Sequence, residues 1–210
     1  MSNKLKPNRP QADGRDPKST RKVIKPATQY TGEVRLIGGQ WKRSKLPVAD
    51  RPGLRPTPDR VRETLFNWLG QDLNGWRVLD AFAGSGALGF EAASRGAAEV
   101  LLLEQDGALA TSLLAVKQRL GAEALSVLRT DALGWMARCA PERFELVLLD
   151  PPFQGEHLPL ALAAAAPLVV PGGFLYVESA APLAEPPAKN SLHRQLKAGA
   201  VHAQLWIREA

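Results

Sequence analysis

Apolar and polar residues alternate with two periods along this chain, and the change from one to the other marks its elements. Arg77 to Phe82, Glu99 to Glu104, Leu125 to Arg129, Phe144 to Leu149 and Gly173 to Glu178 are short, nearly continuous apolar runs rich in Val, Leu and Phe. Such runs read as strands buried on both faces. Helical spacing fills the intervals: Gly86 to Arg95, stopped by Gly96, and Ala108 to Leu120, with Leu109, Leu113, Val116 and Leu120 on one face and Gly121 as the stop. Helical stretches near 132–139 and 156–168 complete the alternation. This βαβα order predicts a mostly parallel sheet covered by helices on both faces. Leu192 to Lys197 and Val201 to Arg208, joined by Ala198-Gly199-Ala200, read as a closing antiparallel pair, and the Ala/Pro-rich 180–189 as a loop.

Upstream the pattern is different. Residues 1–30 are rich in Pro, Lys and Arg and have no periodicity, which predicts a disordered basic tail. Glu33 to Ile37 reads as a strand, Gly38-Gly39 as a turn and Trp41 to Leu46 as a returning strand, with the basic Arg35, Lys42, Arg43 and Lys45 alternating with apolar residues. One cationic face with an aromatic beside it suits a nucleic-acid backbone and an unstacked base; the plainer alternative is that Trp41 packs on the main domain. A helix follows, with Thr57 as N-cap, Pro58 at its first position, Asp59 in the positive first turn and Gly70 at its end. Val61, Leu65, Trp68 and Leu69 form its apolar stripe, which leaves Arg55, Arg60 and Arg62 to face solvent, a ligand or RNA.

Composition narrows the class. With 210 residues, 45% hydrophobic and 23% charged, the chain suits one α/β domain plus an appendage. The longest apolar run, Leu158 to Val170, is thirteen residues interrupted by Pro159 and Pro167, short of the roughly 20 that span a bilayer. No apolar segment follows the charges of the N-terminus, so a cytoplasmic protein without a secretory leader is expected. A lone Cys139 excludes an internal disulfide, and with scattered His157, His193 and His202 it offers no metal site. The net charge of +6 is divided: residues 1–62 carry sixteen Lys/Arg against five Asp/Glu, or +11, and the remainder −5. That asymmetry suggests a polyanion-binding element attached to a mildly acidic body.

Ligands of open α/β sheets bind beyond the carboxyl ends of the strands. Those ends here carry Asp80, Glu104, Asp131 and Asp150, and an acid in such a place costs stability unless a ligand or hydrogen bonds compensate. Gly84-Ser-Gly-Ala-Leu-Gly89 matches G-x-G-x-x-G, and Glu104 lies twenty residues after Gly84, the spacing of a dinucleotide site. A nicotinamide oxidoreductase is therefore one reading. Asp80, four residues before Gly84, opposes a pyrophosphate and welcomes a cation. The loop Asp80-Ala-Phe-Ala-Gly-Ser-Gly86, with Phe82, Ala83 and Ser85 between its acid and its last glycine, suits S-adenosylmethionine, whose ammonium, sulfonium and ribose match an acid, a close backbone and Glu104. Leu149-Asp-Pro-Pro-Phe153 follows the fourth strand. Pro151 and Pro152 stiffen it, so the Asp150 carboxylate and a backbone carbonyl point at one place and suit an exocyclic NH2 on a base. Holding both hydrogens aims the nitrogen lone pair at a methyl group, and Phe153 offers a stacking face. A proline-stiffened strand exit with Asp150 capping the next helix is the plain alternative.

At these residues the chain resembles the class I methyltransferases that act on amines, and most closely the RsmD family, which methylates the N2 amine of one guanine in bacterial 16S ribosomal RNA. The likeness runs from about Val34 to the C-terminus. It includes Arg35-Leu-Ile-Gly-Gly-Gln-Trp-Lys42, the more specific Gly53-Leu-Arg-Pro-Thr-Pro-Asp-Arg-Val-Arg-Glu-Thr-Leu-Phe-Asn67, Val78 to Gly89 and Asp150-Pro-Pro-Phe153. The resemblance implies a seven-stranded class I methyltransferase domain over 57–210, with a small N-terminal hairpin over 31–56. It also implies roles: Asp80, Phe82, Gly84 and Gly86 for the methionine part of the cofactor, Glu104 with neighbouring Gln105 for the ribose, Asp131 and Ala132 for the adenine. Asp150 to Phe153 would form the base pocket, and the hairpin and the Arg55–Arg62 segment would bind RNA. The implied partner is 16S ribosomal RNA in the assembled or assembling 30S subunit, together with its ribosomal proteins, and the implied enzyme is a monomer. The target, guanine 966, comes wholly from the resemblance; from the residues alone an adenine-N6 methyltransferase, or a non-catalytic RNA-binding protein on the same fold, remains open.

Overall fold

The computed structural model describes Met1 and residues 30–49, 57–151 and 157–210. The basic tail, Arg55, Pro152 and Phe153 lie outside the described residues.

The expected alternation is present, and it builds one twisted sheet. Its parallel strands are β3 (Arg77–Asp80), β4 (Glu99–Glu104), β5 (Leu125–Arg129), β6 (Phe144–Leu149) and β7 (Val169–Ser179), joined by α2 (Ala87–Ser94), α3 (Gly107–Leu120), α4 (Ala132–Met136) and α5 (His157–Ala165). The antiparallel β8 (Asn190–Ala198) and β9 (Val201–Arg208) complete a seven-stranded order β5-β4-β3-β6-β7-β9-β8. Successive strand residues go to opposite faces: Val78, Val100, Leu102, Leu146 and Leu148 enter one core, and Leu79, Leu101, Leu103, Val147 and Leu149 the other. Strand order reverses between β3 and β6, which share a parallel register from Val78 opposite Leu146 to Asp80 opposite Leu148. That reversal leaves a crevice at the carboxyl edge, where Asp80 and Asp150 emerge.

Among the boundaries that differ from the sequence reading, three have clear local reasons. β3 stops at Asp80 rather than Phe82, because the chain turns there into the glycine loop. β7 begins at Val169, four residues early, and absorbs Pro171-Gly172-Gly173 through a register shift against β6. The 156–168 helix gives way at Ala166 to a 3-10 turn containing Pro167, whose ring cannot continue an α-helical ladder.

The N-terminal hairpin is also rearranged. Its strands are β1 (Tyr30–Arg35) and β2 (Lys45–Ala49), so Trp41 to Ser44 form a turn and not a returning strand, and Lys42 and Arg43 sit at its tip. The loop is shaped by its docking: Gln40 N–H donates to Ser94 O at 2.8 Å, Trp41 N–H to Ser94 Oγ at 3.0 Å, and Ser94 Oγ donates to Gly38 O at 2.6 Å. At Gly39 the backbone takes φ +71°, and an added Cβ would overlap Ser94 O. Val34, Leu36, Leu46 and Val48 join the same core as Val61 and Leu65 of α1 (Asp59–Leu69), with Trp41 packed half-buried against it.

α1 buries Val61, Arg62, Leu65, Phe66 and Leu69, a stripe rotated from the predicted one so that Trp68 is only half-buried. Arg62, expected to face solvent or RNA, is 0% exposed. It donates to Thr57 O at 3.3 Å, Arg35 O at 3.0 Å and Asp59 Oδ1 at 2.6 Å, and lies 3.5 Å from Glu91 Oε2. The reason lies on α2: Glu91 is fully buried, and a buried carboxylate needs counter-charge and donors. Arg62 and Arg95 supply the charge, while Ile37 N–H at 2.8 Å and Gly38 N–H at 2.7 Å supply further donors. One carboxylate therefore ties α1, α2 and the hairpin loop together.

Candidate functional site

The carboxyl edge of the central strands is built around the glycine loop. Gly84 and Gly86 take φ of +53° and +78°, and a Cβ at Gly86 would crowd Leu113 and Phe90, so α2 approaches its neighbours only with glycine there. Gly89, one turn into α2, lets the helix close on β4: an added Cβ would overlap Leu102 and come within 3.1 Å of Asp80 Oδ2.

Asp80 is 2% exposed and accepts from Gly89 N–H at 3.0 Å. Burial, against that bond and with the charges of Glu104 and Glu178 adding to it, pushes its pKa up to about 7. Glu104 ends β4 half-buried; its Oε2 accepts from Gly84 N–H at 2.9 Å and its Oε1 from Asp106 N–H at 2.8 Å. Burial raises its pKa as well, opposed by those backbone bonds. Phe82 is half-buried, Ala83 and Ser85 are buried, and Gln105 is exposed. Asp131 is exposed, and its Oδ2 caps α4 by accepting from Gly134 N–H at 2.6 Å, with Ala132 buried behind it. This acid has a structural partner at the same sheet edge that the sequence read only as a ligand site.

Asp150 leaves β6 half-buried, followed by buried Pro151. Burial first, then the charges of Glu178 and Asp80, raise its carboxyl well above the ordinary range. Thr57, which the sequence reading gave another role, and Glu178, which it passed over, stand beside it. The Thr57 hydroxyl, expected to cap α1, makes no cap; it donates to Asp150 Oδ2 at 3.4 Å. Glu178, 2% exposed at the end of β7, accepts from Tyr176 Oη at 2.9 Å. The missed signal was an acid ending a fifth apolar strand, the same one that singled out the other four.

Buried carboxylates beside a glycine loop suit a positively charged ligand and reject a pyrophosphate. The Asp80 carboxylate fits an ammonium and the half-exposed Glu104 a diol, so the residues present accommodate S-adenosylmethionine. Around the hairpin, Arg35, Lys42, Arg43 and Arg60 are exposed. Lys45 pairs with Glu33 at 2.6 Å, with both side chains half-exposed. Trp41 is packed on the core, not presented as a free ring.

Comparison with known proteins adds to this geometry. The family model described as Conserved hypothetical protein 95 matches residues 34–207. A curated relative, the ribosomal RNA small subunit methyltransferase D of Escherichia coli (strain K12), is 43% identical over 190 residues, covering 89% of this chain and 96% of its own. Among solved structures, the putative methyltransferase yhhF from Escherichia coli superposes with a TM-score of 0.77 at 40% identity, over 85% of this chain and 99% of that one. The putative methylase HI0767 from Haemophilus influenzae gives 0.73 at 35% identity, over 85% and 100%.

Proposed function

The chain belongs to the Conserved hypothetical protein 95 family, the RsmD family its motifs resemble, and from that premise we propose that it methylates the N2 amine of guanine 966 in 16S ribosomal RNA, with S-adenosylmethionine as donor. The observation that carries this reading is the meeting of Asp80 and Asp150 at the crevice between β3 and β6, beside the glycine loop. When bound, the cofactor supplies an electrophilic methyl group on a sulfonium. Asp80 and the loop Phe82 to Gly86 hold its methionine end, Glu104 and Gln105 its ribose, and Asp131 and Ala132 its adenine.

Asp150 and the Pro151 carbonyl act as paired acceptors for the two amine hydrogens. Their work is orientation and electrostatic stabilisation: the amine lone pair is delocalised into the ring, and fixing both hydrogens turns it outward. The amine becomes acidic as it is alkylated, so the Asp150 carboxylate suffices to accept its proton. Lys42, Arg43, Arg35 and Arg60 neutralise phosphates of the substrate, which is the RNA within the assembled or assembling small subunit.

The test is transfer of labelled methyl to small subunits purified from cells lacking this protein, with the product nucleoside identified by mass spectrometry. N2-methylguanosine at a single position is expected, and Asp150→Ala should lower turnover by at least about 100-fold with cofactor affinity nearly intact. Label on adenosine N6 would keep the fold and move the target; no transfer to any nucleic acid would overturn the reading.

A further inference from the structure

The edge strand β8 carries a charge that the rest of the body lacks. Residues 189–208 hold Lys189, Arg194, Lys197 and Arg208 and no Asp or Glu, whereas residues 63–188 hold seven Lys/Arg against fifteen Asp/Glu. Arg208 is used by the fold: it pairs with Glu142 and donates to the carbonyls of Ala166, Pro167 and Val169. Arg194 and Lys197 are exposed and make no ion pair among the described residues. Arg194 Nη1 donates to His193 O at 2.9 Å, a bond that leaves its charge unopposed.

Register fixes where these two charges stand. Leu149 lies opposite Val177, Val177 opposite Gln204, and Gln204 opposite Gln195 of β8. Asp150, one residue further on, is therefore level with Leu196, and three strand spacings, about 14 Å, separate it from the edge. Lys197 lies opposite His202, and His202 opposite Ser179, the residue after Glu178. The register shift between Leu192 and Arg194 moves Arg194 from the face of Trp206 to that of Leu205. Lys197 stays on the Trp206 face, so the two cations straddle the free edge beside the crevice.

Cations on an edge strand also serve to block pairing with a second sheet. In β8 they are not placed for that: Leu192, in the half of the strand away from the crevice, is 44% exposed with no charge beside it. The acids at the carboxyl edge, Asp80, Glu104, Asp131, Asp150 and Glu178, offer a phosphate no partner. A nucleic-acid strand that sends one base into the crevice needs positive charge next to it. We propose that β8 is a second RNA-contacting strip, in which Lys197 and Arg194 hold phosphates a few nucleotides from the target base. This rests on the methyl-transfer reading above and adds a contact beside the crevice to those of the hairpin.

The double variant Arg194→Gln/Lys197→Gln is compared with Lys189→Gln, which removes a charge from the far end of the same edge. Binding to small subunits from cells lacking this protein, and to a single-stranded oligoribonucleotide, is measured at several salt concentrations. The double variant should bind about tenfold more weakly near 0.1 M salt, and its slope of log affinity against log salt should fall by about 1.4 to 1.8, as for two lost phosphate contacts. Each single variant should give about half that change, and Arg194→Lys/Lys197→Arg should restore the slope. In methyl transfer the loss should fall on KM rather than kcat, with cofactor affinity unaltered. Lys189→Gln should match the wild type throughout. An unaltered slope, or an equal effect from Lys189→Gln, overturns the strip. Self-association of the double variant with unaltered RNA affinity assigns the cations to edge protection instead. A loss of affinity equal at every salt concentration assigns β8 to a protein contact and likewise overturns it. If the wild type binds RNA but transfers no methyl, the methyl-transfer reading fails, and the salt slopes still decide whether β8 holds phosphate.

Discussion

Asp80 shows what one buried residue does to the whole stability curve. Its pKa stands near 7 in the folded chain against 3.8 for the free side chain, so between those values the folded state holds a proton that the unfolded state has lost. Stability is therefore full below about pH 4 for this group and declines as pH rises through 7, by roughly 4 kcal/mol in total. Glu104, Asp150 and Glu178 are raised too and act with the same sign. A cation bound at the ionised carboxylate offsets the loss. The cofactor-free protein should melt at progressively lower temperature from pH 5 to pH 8, and cofactor affinity should rise over the same interval. Asp80→Asn should flatten both trends and weaken binding at pH 8; calorimetry across the range checks this. Asp80 and Asp150 were legible in the sequence because strand ends and prolines mark them. Arg62 and Thr57 were not, because a buried arginine and a hydroxyl beside an acid differ from ordinary residues only in their surroundings, while Glu178 carried the strand-end signal and was missed.

At the scale of elements, the Glu91 clasp decides how the hairpin sits. Removing one member of a buried charged set leaves the others without a partner and costs about 3–5 kcal/mol. Glu91→Gln leaves Arg95 without its carboxylate and Arg62 with only the exposed Asp59, and turns an amide NH2 toward the Ile37 or Gly38 N–H. The melting temperature should fall by roughly 10 °C, with exchange protection lost first at the amides of Ile37 and Gly38; hydrogen-exchange mass spectrometry reads both. The sheet elements were legible because their apolar runs are short and bounded by glycine and acid: β4, β5 and β6 fall where the pattern put them. The hairpin was only partly legible. Its strands exist, but Trp41 to Ser44 are bent into a turn by bonds to Ser94, fifty residues and more away in the chain, and no local pattern announces a bond of that range.

Over the whole molecule, charge and core are segregated. The hairpin's apolar residues belong to the body's core, while its basic tip projects from it. Replacing both Lys42 and Arg43 with alanine should leave the melting temperature within about 1 °C, since exposed substitutions away from special contacts change stability little. It should also weaken binding of the RNA substrate and lower the salt dependence of that affinity by about two in slope. Binding measured at several salt concentrations, with melting as the control, tests this. The βαβα body could be read from patterning because each strand and helix is specified by its own neighbours. The acids at the carboxyl edge could be read the same way except Glu178, whereas Thr57, two residues before α1, joins Asp150 only through the fold.

The clasp on Glu91 also bears on how such a protein diversifies. The carboxylate holds the loop by the main-chain N–H groups of Ile37 and Gly38, and Ser94 holds it by Gly38 O and the N–H groups of Gln40 and Trp41. Apart from Gly39, little in this anchorage reads the loop's side chains. The tip residues are thus free to drift with a changing RNA partner while the fold beneath them stays under its own, separate selection, and the same loop offers a place to graft new recognition without redesigning the body.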